Sequence, residues 1–247
     1  MEAIEWIRAW NDPAVRYQAR LLLEGADPNI AEMRALADDV RASPNCDTVI
    51  EGSFIDQHHV YRKWQGAHWA LVQLAERGHP GGDPRLKQVQ ELVFTWILAP
   101  GFLKPNWTPY VEGQDDRVRR CGSMKGNVLW ASLQLGLMDE RLQTLADRLG
   151  TTQWPDGGWN CDVRPQARQS SFVETVLPLR GLASWVQATG DTNASHTLEH
   201  GVELLLDHHL LFHRDGALIM EVACGADVGT VEVGSVGGRC CGYGQTR

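Results

Sequence analysis

Six cysteines are the first residues in this 247-residue chain that could do chemistry: Cys46, Cys121, Cys161, Cys224, Cys240 and Cys241. They are spread thinly, unlike the dense pattern of a small disulfide-stapled secreted domain, so reduced thiols or metal ligands fit better. Cys161 adjoins Asp162 at the end of the stretch QWPDGGWNCD, residues 153–162. Glu174 reads as a candidate general acid. It also completes Ser171-Phe172-Val173-Glu174, a Ser-x-x-Glu capping box that explains it with no chemistry. Paired with Asp162 or Asp116, Glu174 would give the acid pair of an α/α-barrel carbohydrate enzyme. His208, His209 and His213 are close enough in sequence to suggest a metal, and equally suit the dipole of a helix C-terminus. Ten tryptophans point to aromatic packing or an aromatic-lined cavity.

The elements that must position these residues read as helices. Residues 2–24 predict a helix broken by a turn, with Asp12 as N-cap, Pro13 at the first helical position and Gly25 as the stop. Residues 29–42 predict another. Residues 46–60 read as a linker after this helical preface of residues 1–45, because turn residues dominate and no period is clear. From Tyr61 a helical unit recurs. Helices ending at Gly78, Gly136 and Gly190, 58 and 54 residues apart, are each followed by a short polar turn and a second amphipathic helix. Such self-similarity predicts stacked helical hairpins, each needing a neighbour to bury its apolar face. No segment alternates with period two, so the expected fold class is all-α.

The turn between the second and third units carries a family resemblance. Gln153-Trp154-Pro155-Asp156-Gly157-Gly158-Trp159 resembles the Gln-x-x-Asp-Gly-x-Trp signature of the terpenoid cyclases and protein prenyltransferase β-subunits. Longer segments, YRKWQGAHWALVQLAERGHP and the run from Gln153 to Leu182, resemble a bacterial group described as prenyltransferase-like or squalene-cyclase-like. The resemblance implies an α/α toroid over residues 61–216, with inner helices around a central cavity and outer helices around them. Gln153, Asp156, Gly157 and Trp159 would then clamp the turn, the Gln153 amide meeting open backbone groups at a helix end. The first unit, with TWILAPGFLKPNW, and the third, with HHLLFHRDG, lack a clean copy.

The same resemblance sets expectations for a site. Lys63, Trp64, His68, Trp69 and Trp130 would face the cavity, the tryptophans cradling an isoprenoid chain or steadying a carbocation. Asp162 and Glu174 would be the catalytic carboxylates. Protein prenyltransferases hold zinc with Asp, Cys and His, which implies Zn on Cys121, Cys161 and His68; taken alone, the cysteines read better as small buried core residues. Neither the Asp-x-Asp-Asp acid motif of class II cyclases nor an aspartate-rich diphosphate motif is present: Asp38-Asp39 and Asp115-Asp116 lack the context. The tryptophans and the resembling turn carry the expectation of an apolar isoprenoid-like partner; the absent acid motifs support the rival, a non-catalytic helical scaffold. A net charge of −8 argues against nucleic acid. No run approaches the ~20 apolar residues of a membrane span, and the first residues lack a signal-peptide pattern, which together predict a cytoplasmic protein. Residues 217–247 lose all helical period and turn Gly- and Cys-rich. Three hairpins make only part of a ring, so the expectation is a chain truncated there, as by a frameshift.

Overall fold

A computed structural model describes residues 3–55, 59–103 and 117–209. The tail from residue 217, with Cys224, Cys240 and Cys241, lies outside the described residues, as do Asp115, Asp116 and His213. Among the described residues every regular element is helical, as expected, and no helix is long and apolar enough to cross a membrane. The chain divides into two compact units: Met1–Lys104 with Asn127–Leu145, and Pro105–Gly126 with Ala146–Arg247.

The first unit opens with α1 (Ala3–Arg8) and α2 (Pro13–Gln18), which continues as a π-helical turn, Ala19–Leu23. The Asp12 carboxylate accepts from the Ala14 amide at 2.8 Å and Gly25 adopts φ +64°, so the stop and start signals work as read. After α3 (Ala31–Arg41) comes a correction. Of the segment expected as a linker, residues 46–60, the first part is helical, because α4 runs from Pro44 to Gly52. Ser43 caps it by accepting from the Cys46 amide, and Pro44 presets its first turn. A helix of nine residues burying only Cys46 and Ile50 leaves too little periodicity to stand out in the sequence.

Helices α5 (Ala67–Glu76) and α6 (Arg85–Ile97) follow, then the short α7 (Pro100–Leu103). Expected from Tyr61, α5 starts six residues later. The preceding segment folds into turns, with the Gly66 amide donating to Arg62 O at 2.8 Å and the His68 amide to Val60 O at 3.1 Å. Trp64 therefore lies off the helix, at φ +68°. Gly78 ends α5 at φ +66°, and the His79 amide reaches back to Leu74 O at 2.9 Å, a Schellman closure. Leu71, Leu74, Leu86, Val93, Phe94 and Ile97 fill the core between α5 and α6. Gln90, buried among them, donates to Ser132 Oγ and to Leu137 O.

The second unit contains the start of α8 (Gly122–Gln134), the end of α9 (Arg141–Thr151), and the packed pair α10 (Phe172–Thr189) and α11 (Thr192–Asp207). Gly136 and Gly190 close α8 and α10 at φ +66° and +72°. The helix–glycine–helix order expected from the sequence is thus present in all three places. Near their starts, α8 and α10 meet backbone to backbone. A Cβ on Gly126 would come within 2.4 Å of Leu177 O, and one on Gly181 within 2.5 Å of Gly126 O. Two glycines thus permit an approach that any side chain would block.

Candidate metal-binding site

The turn at residues 153–159 fixes one wall of the site. Its Gln153 amide donates at 2.8 Å both to Gly157 O within the turn and to Thr197 O of α11. An open helix-end carbonyl, Leu149 O in the last turn of α9, receives the Trp159 indole N–H at 3.1 Å. Asp156 accepts from both the amide and hydroxyl of Ser170, at 2.8 and 2.6 Å. Gly157 sits at φ +99° with its Cβ position 2.5 Å from His200 O, so the turn admits no other residue there. Trp154 and Trp159 are fully buried.

Beyond Trp159 the chain loops out and returns. The Ser171 amide donates to Trp159 O at 2.8 Å, and the Asn160 amide group to Gln169 O at 2.8 Å. The buried Arg119 guanidinium holds the loop from beneath through the carbonyls of Asp162, Arg164 and Ala167. Cys161 is thereby fixed where the loop begins. The α8–α10 approach carries Cys121 and Ser123, at the start of α8, toward Glu174 in the first turn of α10.

Cys121, Cys161 and Glu174 meet there. One ligand atom from each, two Sγ and one carboxylate oxygen, all lie within 4.8 Å of one another. Cys121 and Glu174 are buried, and Cys161 is half-buried. Glu174 was expected mainly as a cap. Ser171 does accept from the Glu174 amide, at 3.5 Å, but the Glu174 carboxylate turns elsewhere, receiving the Ser123 hydroxyl at 2.9 Å and the Ser123 amide at 3.2 Å. Sequence spacing could not separate these two uses, because the residue types are the same. Lys125, one turn after Cys121, stands beside it at the start of α8, as the resemblance implies. Its ammonium is buried and donates to Cys121 O at 3.4 Å. Burial pulls its pKa down to about 8, against the opposing attraction of Cys121 and Glu174.

No family model, curated protein or solved structure matches this chain. The site is read from its own geometry.

The remaining expected residues lie elsewhere. Asp162 is bound by the Arg164 side chain and accepts from the Arg164 amide at 2.9 Å; that guanidinium holds its carboxyl below the usual range. His68, expected as a metal ligand, belongs to the first unit. There it packs against the rings of Tyr61, Trp69 and Trp96, and neither ring nitrogen has a hydrogen-bond partner. Burial lowers its pKa to about 3, so it stays neutral. Trp64 is 61 % exposed, lies tilted against Trp69 at 4.5 Å and receives Lys63 Nζ at 5.4 Å. Trp130 is half-buried on α8. Trp185 is committed to packing, with its indole N–H on Asp191 Oδ2 at 3.1 Å.

The donor set suits a divalent zinc-like ion. Two soft thiolates and one carboxylate are ligands zinc accepts, and three protein ligands leave the fourth position open. Two thiolates, one carboxylate and a divalent cation sum to a single negative charge, which the Lys125 ammonium would offset. Ser123, gripping both carboxylate oxygens, would orient Glu174 from outside.

Proposed function

We propose that this is a zinc-dependent α/α toroid protein of the prenyltransferase- or cyclase-like type, acting on an isoprenoid-like apolar substrate in the cytoplasm. One observation carries the reading: the ligand atoms of Cys121, Cys161 and Glu174 converge within 4.8 Å at the starts of two helices that the family resemblance makes inner helices. Zinc bound by these three would supply Lewis-acid activation of a thiol or phosphoryl oxygen at its open position. The chain's own residues supply the rest. Ser123 holds the Glu174 carboxylate in one rotamer, Arg119 fixes the loop bearing Cys161, and Lys125 balances charge and can give or take a proton near neutral pH.

The test is elemental analysis of the purified full chain. About one zinc per chain is expected, lost in Cys121→Ala and Cys161→Ala and weakened in Glu174→Gln. Farnesyl- and geranylgeranyl-type ligands are then titrated against the zinc form. A folded chain that takes up no zinc from buffer overturns the reading. It would leave the non-catalytic helical scaffold, which the structural commitments of Asp162 to Arg164, Trp159 to Leu149 and Trp185 to Asp191 favour.

A further inference from the structure

A second group of reactive side chains lies in the first unit, where α3, α4, α5 and α6 meet. Cys46 Sγ is 3.4 Å from His79 Nδ1. His79 Nε2 is 3.1 Å from Asp83 Oδ2. A carboxylate only accepts, so Nε2 carries the proton and the Nδ1 lone pair faces the thiol. This is the nucleophile–base–orienter order of an activated thiol. The orienter is itself fixed: Arg85 donates to Asp83 Oδ1 at 3.0 Å and to Oδ2 at 2.7 Å. The same guanidinium ties down Asp47 of α4 and the Arg41 carbonyl of α3, both at 2.7 Å. Cys46 stands in the first turn of α4.

We propose that Cys46, His79 and Asp83 form an activated-thiol centre that small hydroperoxides oxidise. Two features select this class of reactant. First, Cys46, His79 and Asp83 are only 5 %, 3 % and 2 % exposed, which excludes a peptide or acyl chain and leaves only small reactants. Second, acyl transfer needs free donors for an oxyanion, and the amides of Cys46 and Asp47 are both engaged by Ser43. A cleft of about 670 Å³ is lined in part by Asn45, next to Cys46 in the chain, and by Arg77, two residues before His79. Burial holds the His79 pKa below its ordinary value, so the imidazole is a free base at neutral pH.

In the step, Nδ1 takes the thiol proton as Sγ attacks the terminal peroxide oxygen. The S–O bond forms and the O–O bond breaks. Sulfur loses two electrons, the peroxide gains them, and the alkoxide or hydroxide leaves with the proton held on Nδ1, as an alcohol or water. The product is Cys46 sulfenic acid. Cys46 is the only cysteine between residues 1 and 104, so that stretch supplies no resolving thiol, and a small external thiol is the natural cap.

The experiment exposes the full chain to hydrogen peroxide, traps sulfenic acid with dimedone and quantifies Cys46 by peptide mass spectrometry. A synthetic peptide of residues 40–52 serves as the unassisted thiol. Cys46 in the folded chain should react at least ten-fold faster than the peptide at pH 7, and His79→Gln should remove that advantage. Equal rates for chain and peptide, or a folded His79→Gln chain that reacts as fast as the parent, overturn the proposal. Should that variant not fold, the parent's pH profile decides. The charged groups facing His79 are Asp83, Arg85 and Arg41. With His79 as base, already neutral at pH 7, the rate stays nearly flat between pH 7 and 8. A rate rising about ten-fold per pH unit, as for an unassisted thiol of pKa ~8.5, sinks it.

Discussion

His68 shows how much one residue's setting decides. In sequence it is a candidate ligand; in the structure it is a neutral ring in an aromatic nest with both nitrogens unpartnered. Its pKa is near 3 when folded and near 6.5 when unfolded. The unfolded chain thus binds a proton that the folded chain refuses, and stability falls as pH drops from about 6.5 toward 3. At pH 5 the loss from this one group is about 2 kcal/mol. His68→Phe should remove it, so urea midpoints at pH 5 and pH 7.5 should lie closer together in the variant than in the parent. An unchanged gap would mean that His68 is reached by solvent. Glu174 is the opposite case. Its capping pattern was legible and its Ser171 cap forms, but the carboxylate's direction depends on Ser123, fifty-one residues away, which no local pattern encodes.

At the level of elements, much was legible where a terminator has a backbone requirement. Gly78, Gly136 and Gly190 end their helices at positive φ, and Asp12 and Ser171 cap theirs. Two elements were not legible. α4 buries too few side chains to print a period, and the turns before α5 that take Trp64 off the helix depend on backbone bonds between residues 59 and 68. The α8–α10 crossing was also hidden, since only the structure shows what each glycine faces. Gly126→Ala should therefore act well beyond the few tenths of a kcal/mol of an ordinary helix substitution. Its methyl would meet the Leu177 carbonyl at 2.4 Å, so a loss of about 2 kcal/mol or more is expected from overpacking, read as a lower denaturant midpoint. Gln153→Ala removes two hydrogen bonds and leaves the Gly157 and Thr197 carbonyls short of a donor. About 1–3 kcal/mol is expected, and a midpoint unchanged within error would mean that the turn holds without its glutamine.

For the whole molecule, the spacing of apolar residues predicts an all-helical chain with no membrane span, and the described residues agree. What composition cannot indicate is that the two clusters of chemistry fall in different units. Cys121, Cys161 and Glu174 belong to the second, and Cys46, His79 and Asp83 to the first. This separation makes metal linkage a local matter. An ion that binds the folded site and not the unfolded chain stabilises by RT ln(1 + [L]/Kd), about 4 kcal/mol at a thousand-fold excess over Kd. Hydrogen exchange followed by mass spectrometry reads this segment by segment. Adding zinc to the chelator-stripped chain should slow exchange in peptides covering residues 117–126 and 159–178, where the ligands and their supports lie. Peptides from α4 to α6 should exchange as before. Protection spread evenly over both units would indicate one cooperative unfolding unit, and no protection anywhere would remove the metal from the account.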